Sequence, residues 1–509
     1  MGKYITNNKQ VAKNTLFLYL RMFLTMAVSL YTVRVVIKTL SVQDYGLYGA
    51  VGGVILSFGL ITGVLTNASQ RFFSVEIGKG EAGRVQETFS TLFLTYIGVS
   101  FLVFVLAETI GLWFVRTQMT IPDDRLSAAI WVYQFALCSF IITLLTNPYH
   151  ALIIAHERMN LYAYLSILDV ILKLLIVYTL VLFDFDKLKL YAVLIFGSQL
   201  LVNCFYIAYC RRKYTTDVKL KLNVDKNMFK SVFSYSSWTL FGSVAGMFNT
   251  QGMNLLLNVF FGPIANAAYS VASQIYHTVS LFATNFYTAV KPPLMKNYVS
   301  CNYDYVQKLF LFSSKAIFTL LFVIILPLII CTNQILLIWL GEVGEYMEIF
   351  VRLSLIYTMI LIISYPITAI VQAGGHVKLY HGLVDGFSIL ALPFVYILFR
   401  LGCDAYWTYL TSIFVFAIAH ILRIYILKKV FSVFQVGTYV FRFIVPAIVI
   451  FISSLLIMLY VKSLFNESLI TTLVLCFISC LISAILSAFV LVSSDERQII
   501  KNMFKKSNI

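Results

Sequence analysis

In the stretch "YSVASQIYHTVSLFATNFYTAVK", Ser270, Ser273, Gln274, His277, Ser280, Thr284, Thr288 and Lys291 recur every three or four residues. That spacing places them on one face of a helix. Just before it, "NTQGMNLLLN" puts Gln251, Asn254 and Asn258 on a similar series. Amides and hydroxyls so arranged can grip water or a hydroxyl-bearing ligand, and a polar face of this length is costly against lipid. Two readings stand side by side. One is hydrogen bonding within the bundle, with Ser and Thr returning to their own helix; the other is the wall of a wet cavity. His277 is equally open, as a satisfied core histidine, a proton-sensitive group or a substrate contact.

Basic residues inside apolar runs narrow the chemistry. Arg21 lies about eight residues into the first run, too deep for easy snorkelling. Arg34 stands nearer the outer end of that run, Arg71 near the inner end of the next, and Lys291 closes the polar face. Arginine binds phosphate bidentately and lysine supplies a compact positive charge, so an anionic substrate fits this set. Candidate substrate-binding residues are therefore Arg21, Arg34, Arg71, Gln251, Asn254, Gln274, His277 and Lys291. Asp169 and Lys173, at i,i+4, read as a local ion pair. Lys315, Arg352 and Asp385 sit near helix ends and are expected to snorkel. Glu108 is the only acid deep in the outer half of its helix.

Other chemistries lack their residues. There is no phosphate-binding loop, zinc motif or Gly-rich nucleotide fingerprint, and the eight cysteines show no metal-ligand spacing. The cysteines read as small buried apolar residues. No catalytic residue, metal or cofactor is expected, and ATP is not expected to be consumed.

The elements that must position these residues are membrane helices. Of 509 residues, 60% are hydrophobic and 12% charged, about half the usual charged fraction. Apolar runs of about 20 residues without period-2 alternation predict helices and exclude a barrel. About fourteen such runs are predicted, giving an all-α integral membrane protein. The polar start "MGKYITNNKQVAKN" leads into a run too long for a signal-peptide core, so the first helix is expected to be retained. With the N-terminus inside, 26 of the 38 Lys and Arg residues fall on the cytoplasmic side, among them Arg423. Both termini are then cytoplasmic. The net charge of +16 is a topology signal that also suits anionic lipid, with no sign of nucleic-acid binding.

The longest soluble stretch, the basic loop 211–230, is too short for a folded catalytic domain and divides the chain. Residues 1–210 form a predicted N-lobe of helices 1 to 6, and 231–430 a C-lobe of helices 7 to 12. Residues 431–509 add helices 13 and 14 and a basic tail. The lobes repeat: at an offset of 221, Tyr48, Leu60, Ala68, Val85, Gln86 and Phe89 match Tyr269, Leu281, Ala289, Val306, Gln307 and Phe310. At 218, "PYHALIIAHERMNLY" from Pro148 aligns with "PITAIVQAGGHVKLY" from Pro366. An even helix count per repeat predicts lobes related by an axis along the membrane normal, with a path between them, which is a transporter plan. Gly46, Gly49 and Gly53 predict a helix face that a neighbour can approach closely, with Tyr45 and Tyr48 at the outer interface.

The segments "NTLFLYLRMFLTMAVSLYTVRVVIKTLSVQDYGLYGAVGGVI" and "LLLNVFFGPIANAAYSVASQIY" resemble the polysaccharide-type (Wzx-like) flippases of the multidrug/oligosaccharidyl-lipid/polysaccharide (MOP) exporter superfamily. The similarity extends over nearly the whole chain as a MATE-like fourteen-helix plan. It implies a bacterial inner-membrane protein that moves undecaprenyl-diphosphate-linked oligosaccharide to the periplasmic leaflet for surface polysaccharide such as lipopolysaccharide. It also implies a cationic cavity for the diphosphate and sugar, matched here by helix at Arg21, Arg34 and the polar face, and partnership with other polysaccharide assembly proteins. A gradient of H+ or Na+ fits as the drive, although no coupling site is legible. A drug or metabolite antiporter would call for more buried acids, and a polysaccharide polymerase or ligase for larger outward loops.

Overall fold

The computed structural model describes residues 2–40, 42–56, 58–117, 119, 121–182, 185–221, 226–341, 343–466 and 468–491. Within these helices some side chains, including those of 2–13, Arg34 and Tyr45, lie outside the described residues. Every regular element among the described residues is helical, since a helix satisfies its own backbone where hydrocarbon offers no partner. Ten helices are long and apolar enough to cross a membrane, or eleven if Leu47–Ile55 and Gly59–Gly78, bent by 49°, form one broken span. The protein is a multi-pass membrane protein.

The expected fourteen exceeds even eleven, and that difference lies in three runs. The first helix, Gly2–Leu40, has a described apolar stretch of only Asn14–Val28. The other two runs are the arms of one 74-residue helical segment, Lys226–Val299, which carries the polar series. All three are helical; the first belongs to a 39-residue helix of which 14–28 is the described apolar stretch, and the two arms interrupt their apolar runs with amides and hydroxyls.

Gly262 divides the arms, with φ 75° and ψ −166° inside otherwise helical backbone. Only glycine occupies that region readily. The following Pro263 reinforces the break, because a residue before proline is driven out of the helical region.

By internal packing the chain forms two compact units, Ala12–Leu240 and Phe241–Ile509 together with Met1–Val11. In the first, Leu126–Ala155 is the hub, packed by Lys187–Lys213, Gly59–Gly78, Val42–Leu56 and Val85–Leu106. Phe89 and Tyr149 meet edge to face at 5.0 Å beside it. The basic stretch after Lys213 is tied to this unit: Gln86 Nε2 donates to Lys219 O at 2.9 Å and Lys221 N to Ser90 Oγ at 3.0 Å. In the second unit Tyr303–Ile330 is central, and Phe310, Phe318 and Phe322 pack against Phe434, Phe443 and Phe451. The C-terminal helices Val436–Ser463 and Leu469–Leu491 belong to this unit. Lys462 Nζ donates to Ile330 O at 3.0 Å, filling a carbonyl at the end of the central helix.

The sequence repeat reappears as a repeat of elements. Val85–Thr117, Asp123–Ala155, Met159–Leu180 and Lys187–Lys213 are followed, 218 to 224 residues later, by Tyr303–Ile330, Met347–Ala373, Val377–Arg400 and Trp407–Val430. Even the turns correspond. Glu157 (φ 60°) and Gly375 (φ 79°), 218 residues apart, are both left-handed. Glu157 N donates to Ile154 O and Arg158 N to Ile153 O; in the second copy Gly375 N donates to Gln372 O and His376 N to Val371 O. Gly80 (φ 63°) and Cys301 (φ 56°), 221 apart, form a second such pair.

Close approach at Gly49 and Gly53 is not found. A Cβ built at either, or at Gly52, meets no atom within 4 Å, and the surroundings of Gly46 and Tyr45 lie outside the described residues. The tight contacts are elsewhere: a Cβ at Gly111 would strike the Tyr133 hydroxyl, and one at Gly252 would lie 2.6 Å from Leu392 Cδ2. Gly262→Ala meets no steric obstacle, so its cost is conformational, roughly 1–3 kcal/mol. Thermal unfolding in detergent should show a clear drop in Tm; an unchanged Tm would mean that the break is not held by backbone conformation.

Candidate functional site

The break at Gly262 sets the polar residues of one arm beside those of the other. Two contiguous cavities in the second unit, about 560 Å³ and 350 Å³, share Thr250, Tyr269, Ser273 and His277. Gln251 and Asn254 from the first arm, and Ser270, Gln274 and His277 from the second, line the larger one. Tyr269 Oη joins the arms through a long 3.5 Å contact to Thr250 O. Both sequence readings of the polar face hold, for different residues. The hydroxyls of Ser270, Thr278, Thr284 and Thr288 donate to carbonyls four residues back, while the amides of Gln251, Asn254 and Gln274 and the His277 ring line the larger cavity.

The smaller cavity has aromatic walls. Tyr269 and Tyr276 from the kinked segment, Tyr357 from Met347–Ile362, and Tyr409 from Trp407–Val430 surround it. Tyr269 and Tyr409 lie 5.5 Å apart between ring centroids, and Tyr276 and Tyr357 6.0 Å apart. Its charged residues are one acid and one base, Asp385 and Arg423. Asp385 ends a π-helical turn, His381–Asp385, of a kind frequent at functional sites. Its Oδ2 pairs with His381 Nδ1. Gly242 makes room for the pair, since a Cβ there would overlap both partners. Arg423 is 3% exposed; its Nε donates to Tyr380 Oη at 3.1 Å, and that hydroxyl also bonds Thr368 Oγ1 at 2.8 Å.

The other candidates are placed differently. Arg21 lies in the first unit with its guanidinium 4.7 Å from the Tyr162 ring centroid, and its buried Nε has no hydrogen-bond partner. Arg71, also in the first unit, stacks over Phe72 at 4.5 Å and Tyr235 at 5.2 Å. Lys291 is buried, 5.9 Å from the Tyr287 ring centroid, and lines neither cavity. The Arg34 side chain lies outside the described residues. Asp169 and Lys173 form the expected ion pair at 2.7 Å.

Three expectations change. Asp385 does not snorkel, because it faces a cavity eight residues inside Val377–Arg400. Arg423 is buried in a helix wall and is not part of the solvent-facing basic loop. Cys138, Cys204 and Cys301 are exposed, whereas Cys210 and Cys331 are buried as expected. Among the described residues no group of three or more His, Cys, Asp or Glu is arranged to hold a metal ion. The sequence did carry a signal for Arg423: Tyr409, Ser412, Phe416 and Arg423 all line the cavity at helical spacing.

The polysaccharide biosynthesis protein family matches residues 11–299, more than half of the 509-residue chain. The chain belongs to the polysaccharide biosynthesis protein family. Solved structures show the same fold in transporters. A MATE protein in the straight conformation superposes with a TM-score of 0.70 at 14% identity, covering 84% of this chain and 96% of that one. An outward-facing multidrug resistance MATE family transporter of the MOP superfamily gives 0.66 at 16% identity, covering 83% and 96%. A MOP superfamily transporter from Pyrococcus furiosus, described by the reverse polarity of its binding pocket, gives 0.66 at 14% identity with the same coverage. No curated protein matches the chain. The family member described here thus has a MATE-like fold with a polar, tyrosine-walled cavity in its second unit.

The cavity makes a labelling prediction. With the native cysteines replaced, Gln274→Cys should react with a small water-soluble thiosulfonate in intact membranes, and Lys291→Cys should not. Equal labelling of both would show that the cavity boundary is misplaced.

Proposed function

We propose that this protein is a flippase that carries undecaprenyl-diphosphate-linked oligosaccharide from the cytoplasmic to the periplasmic leaflet of the bacterial inner membrane, with both termini cytoplasmic. Membership in the polysaccharide biosynthesis family and the MATE-like fold support transport as the activity. The observation that carries the substrate class is Arg21. It is a guanidinium within an apolar helix, held against an aromatic face, with no ion-pair partner among the described residues. A half-buried cation within an apolar helix, with a buried Nε left unpartnered, is costly, and a phosphate oxygen would relieve that cost through a charge-assisted hydrogen bond.

In this reading the diphosphate engages Arg21 and Arg71 while the polyprenyl chain stays in lipid. Amides such as Gln251, Asn254 and Gln274, with His277, hydrogen-bond the hydrated glycan, and alternating access exposes the headgroup first to one side and then to the other. Arg34 belongs to the same proposed cationic set, whereas Lys291, which lines neither cavity, does not. A proton or sodium gradient drives the cycle, and surface-polysaccharide assembly proteins receive the product.

One observation favours a second reading, an ion-coupled antiporter of the same superfamily: the cavity of the second unit carries an acid, Asp385. Cargo choice separates the two. In proteoliposomes, Arg21→Ala should abolish translocation of labelled lipid-linked glycan at normal expression, and Arg21→Lys should retain part of it, because the charge stays and the bidentate geometry goes. Unimpaired translocation by Arg21→Ala would remove Arg21 from the path, and export of organic cations without glycan movement would favour the antiporter.

A further inference from the structure

We infer that the smaller cavity of the second unit is a saccharide subsite that selects a carboxylate-bearing pyranose, with Arg423 as its anion contact. The inference rests on the reading above that the cargo is a glycan, and it names a sugar class and a place for it.

Volume and walls come first. About 350 Å³ falls within the range of small-molecule sites, roughly 300–1,000 Å³. The walls are phenol rings drawn from three helical segments, with Tyr269 and Tyr409 tilted at 33° to one another. Rings with a flat apolar face and a polar tip suit a pyranose, whose C–H face stacks and whose hydroxyls hydrogen-bond at the rim. A lipid tail would leave those polar tips unmatched, and a free inorganic ion would leave the ring faces unused.

Charge supplies the selectivity. Arg423 is 97% buried and lines this cavity, its Nε is satisfied by a neutral phenol, and its Nη1 has no hydrogen-bond partner. No ion pair involves it among the described residues. The one acid on the same walls, Asp385, is already paired with His381. Asn249 adds a second unfilled group, because its Nδ2 donates to Ser388 O at 3.1 Å while its buried Oδ1 has no partner. A built polar site with an open donor and an open acceptor is one that a ligand completes.

The charge balance argues for carboxylate over diphosphate. A carboxylate carries one negative charge and matches a single guanidinium bidentately. A diphosphate brings more negative charge than one arginine can compensate, and the Asp385 carboxylate on the same wall repels it more strongly than it repels a singly charged sugar acid.

The test uses the full-length protein in nanodiscs and calorimetric titration with three probes: a disaccharide ending in glucuronic acid, the same disaccharide ending in glucose, and inorganic pyrophosphate. The acidic disaccharide should bind at least tenfold more tightly than the neutral one and should not be displaced by equimolar pyrophosphate. Arg423→Gln should bring its affinity down to that of the neutral probe, and Arg423→Lys should retain part of the preference. Equal affinities in the wild-type protein would overturn the inference, with no variant needed, and so would displacement by equimolar pyrophosphate, which would mark a phosphate site. The flippase reading is scored separately, by wild-type translocation of a diphospholipid bearing a neutral glycan. Transport without acid preference removes the subsite alone, and acid preference without transport removes the flippase alone.

Discussion

Hydrocarbon supplies no hydrogen bonds, and that single deficit governs the second unit. Lys226–Val299 is helical yet carries amides, hydroxyls and an imidazole along its length. Such a segment is stable in a bilayer only if the hydroxyls fold back on their own carbonyls and the larger groups meet one another or water. Breaking it at Gly262 accomplishes the latter, because it turns one long polar face into two short ones that line a common space. A straight helix with the same residues would present part of that face to lipid.

Charge is handled by the same logic, one site at a time. Arg125 sits with Asp44 and Asp186, Lys173 with Asp169, and His381 with Asp385. The first two sets are structural ion pairs, whereas the third lines a cavity and leaves His381 Nε2 buried without a hydrogen-bond partner. Arg21 and Arg423 are different, since each lies against a tyrosine, Arg21 half-buried and Arg423 buried, and each has a buried nitrogen left unsatisfied. The proposed functions of the two units grow from these two guanidiniums, one suited to phosphate and the other to a sugar acid.

The helical class, the repeat and the larger cavity wall were legible because each is written in local spacing. Gln251 and Asn254 share a face by periodicity, as do Gln274 and His277. Asp385 was not legible and Arg423 only by its helical spacing from Tyr409, Ser412 and Phe416, because proximity to a helix end looks the same whether a side chain escapes to water or turns into a cavity. Only the neighbours decide that: Tyr380 holds Arg423 and His381 holds Asp385, and neither contact is visible as composition. The glycines at 49 and 53 were misleading for the converse reason. Absence of a side chain permits an approach but does not require one, and a Cβ built at either position meets no atom within 4 Å.

The π-helical turn His381–Asp385 has a consequence for the register of its span. It holds one residue more than an α-helical turn, which advances everything after it by about 100° around the axis. Val377–Arg400 thus presents two phases: one sets His381, and the other sets Ser388, whose carbonyl receives the Asn249 amide. Removing a single residue from the turn would restore an even spiral and swing Ser388 away from Asn249. The cavity wall therefore depends on a residue count as much as on residue identity.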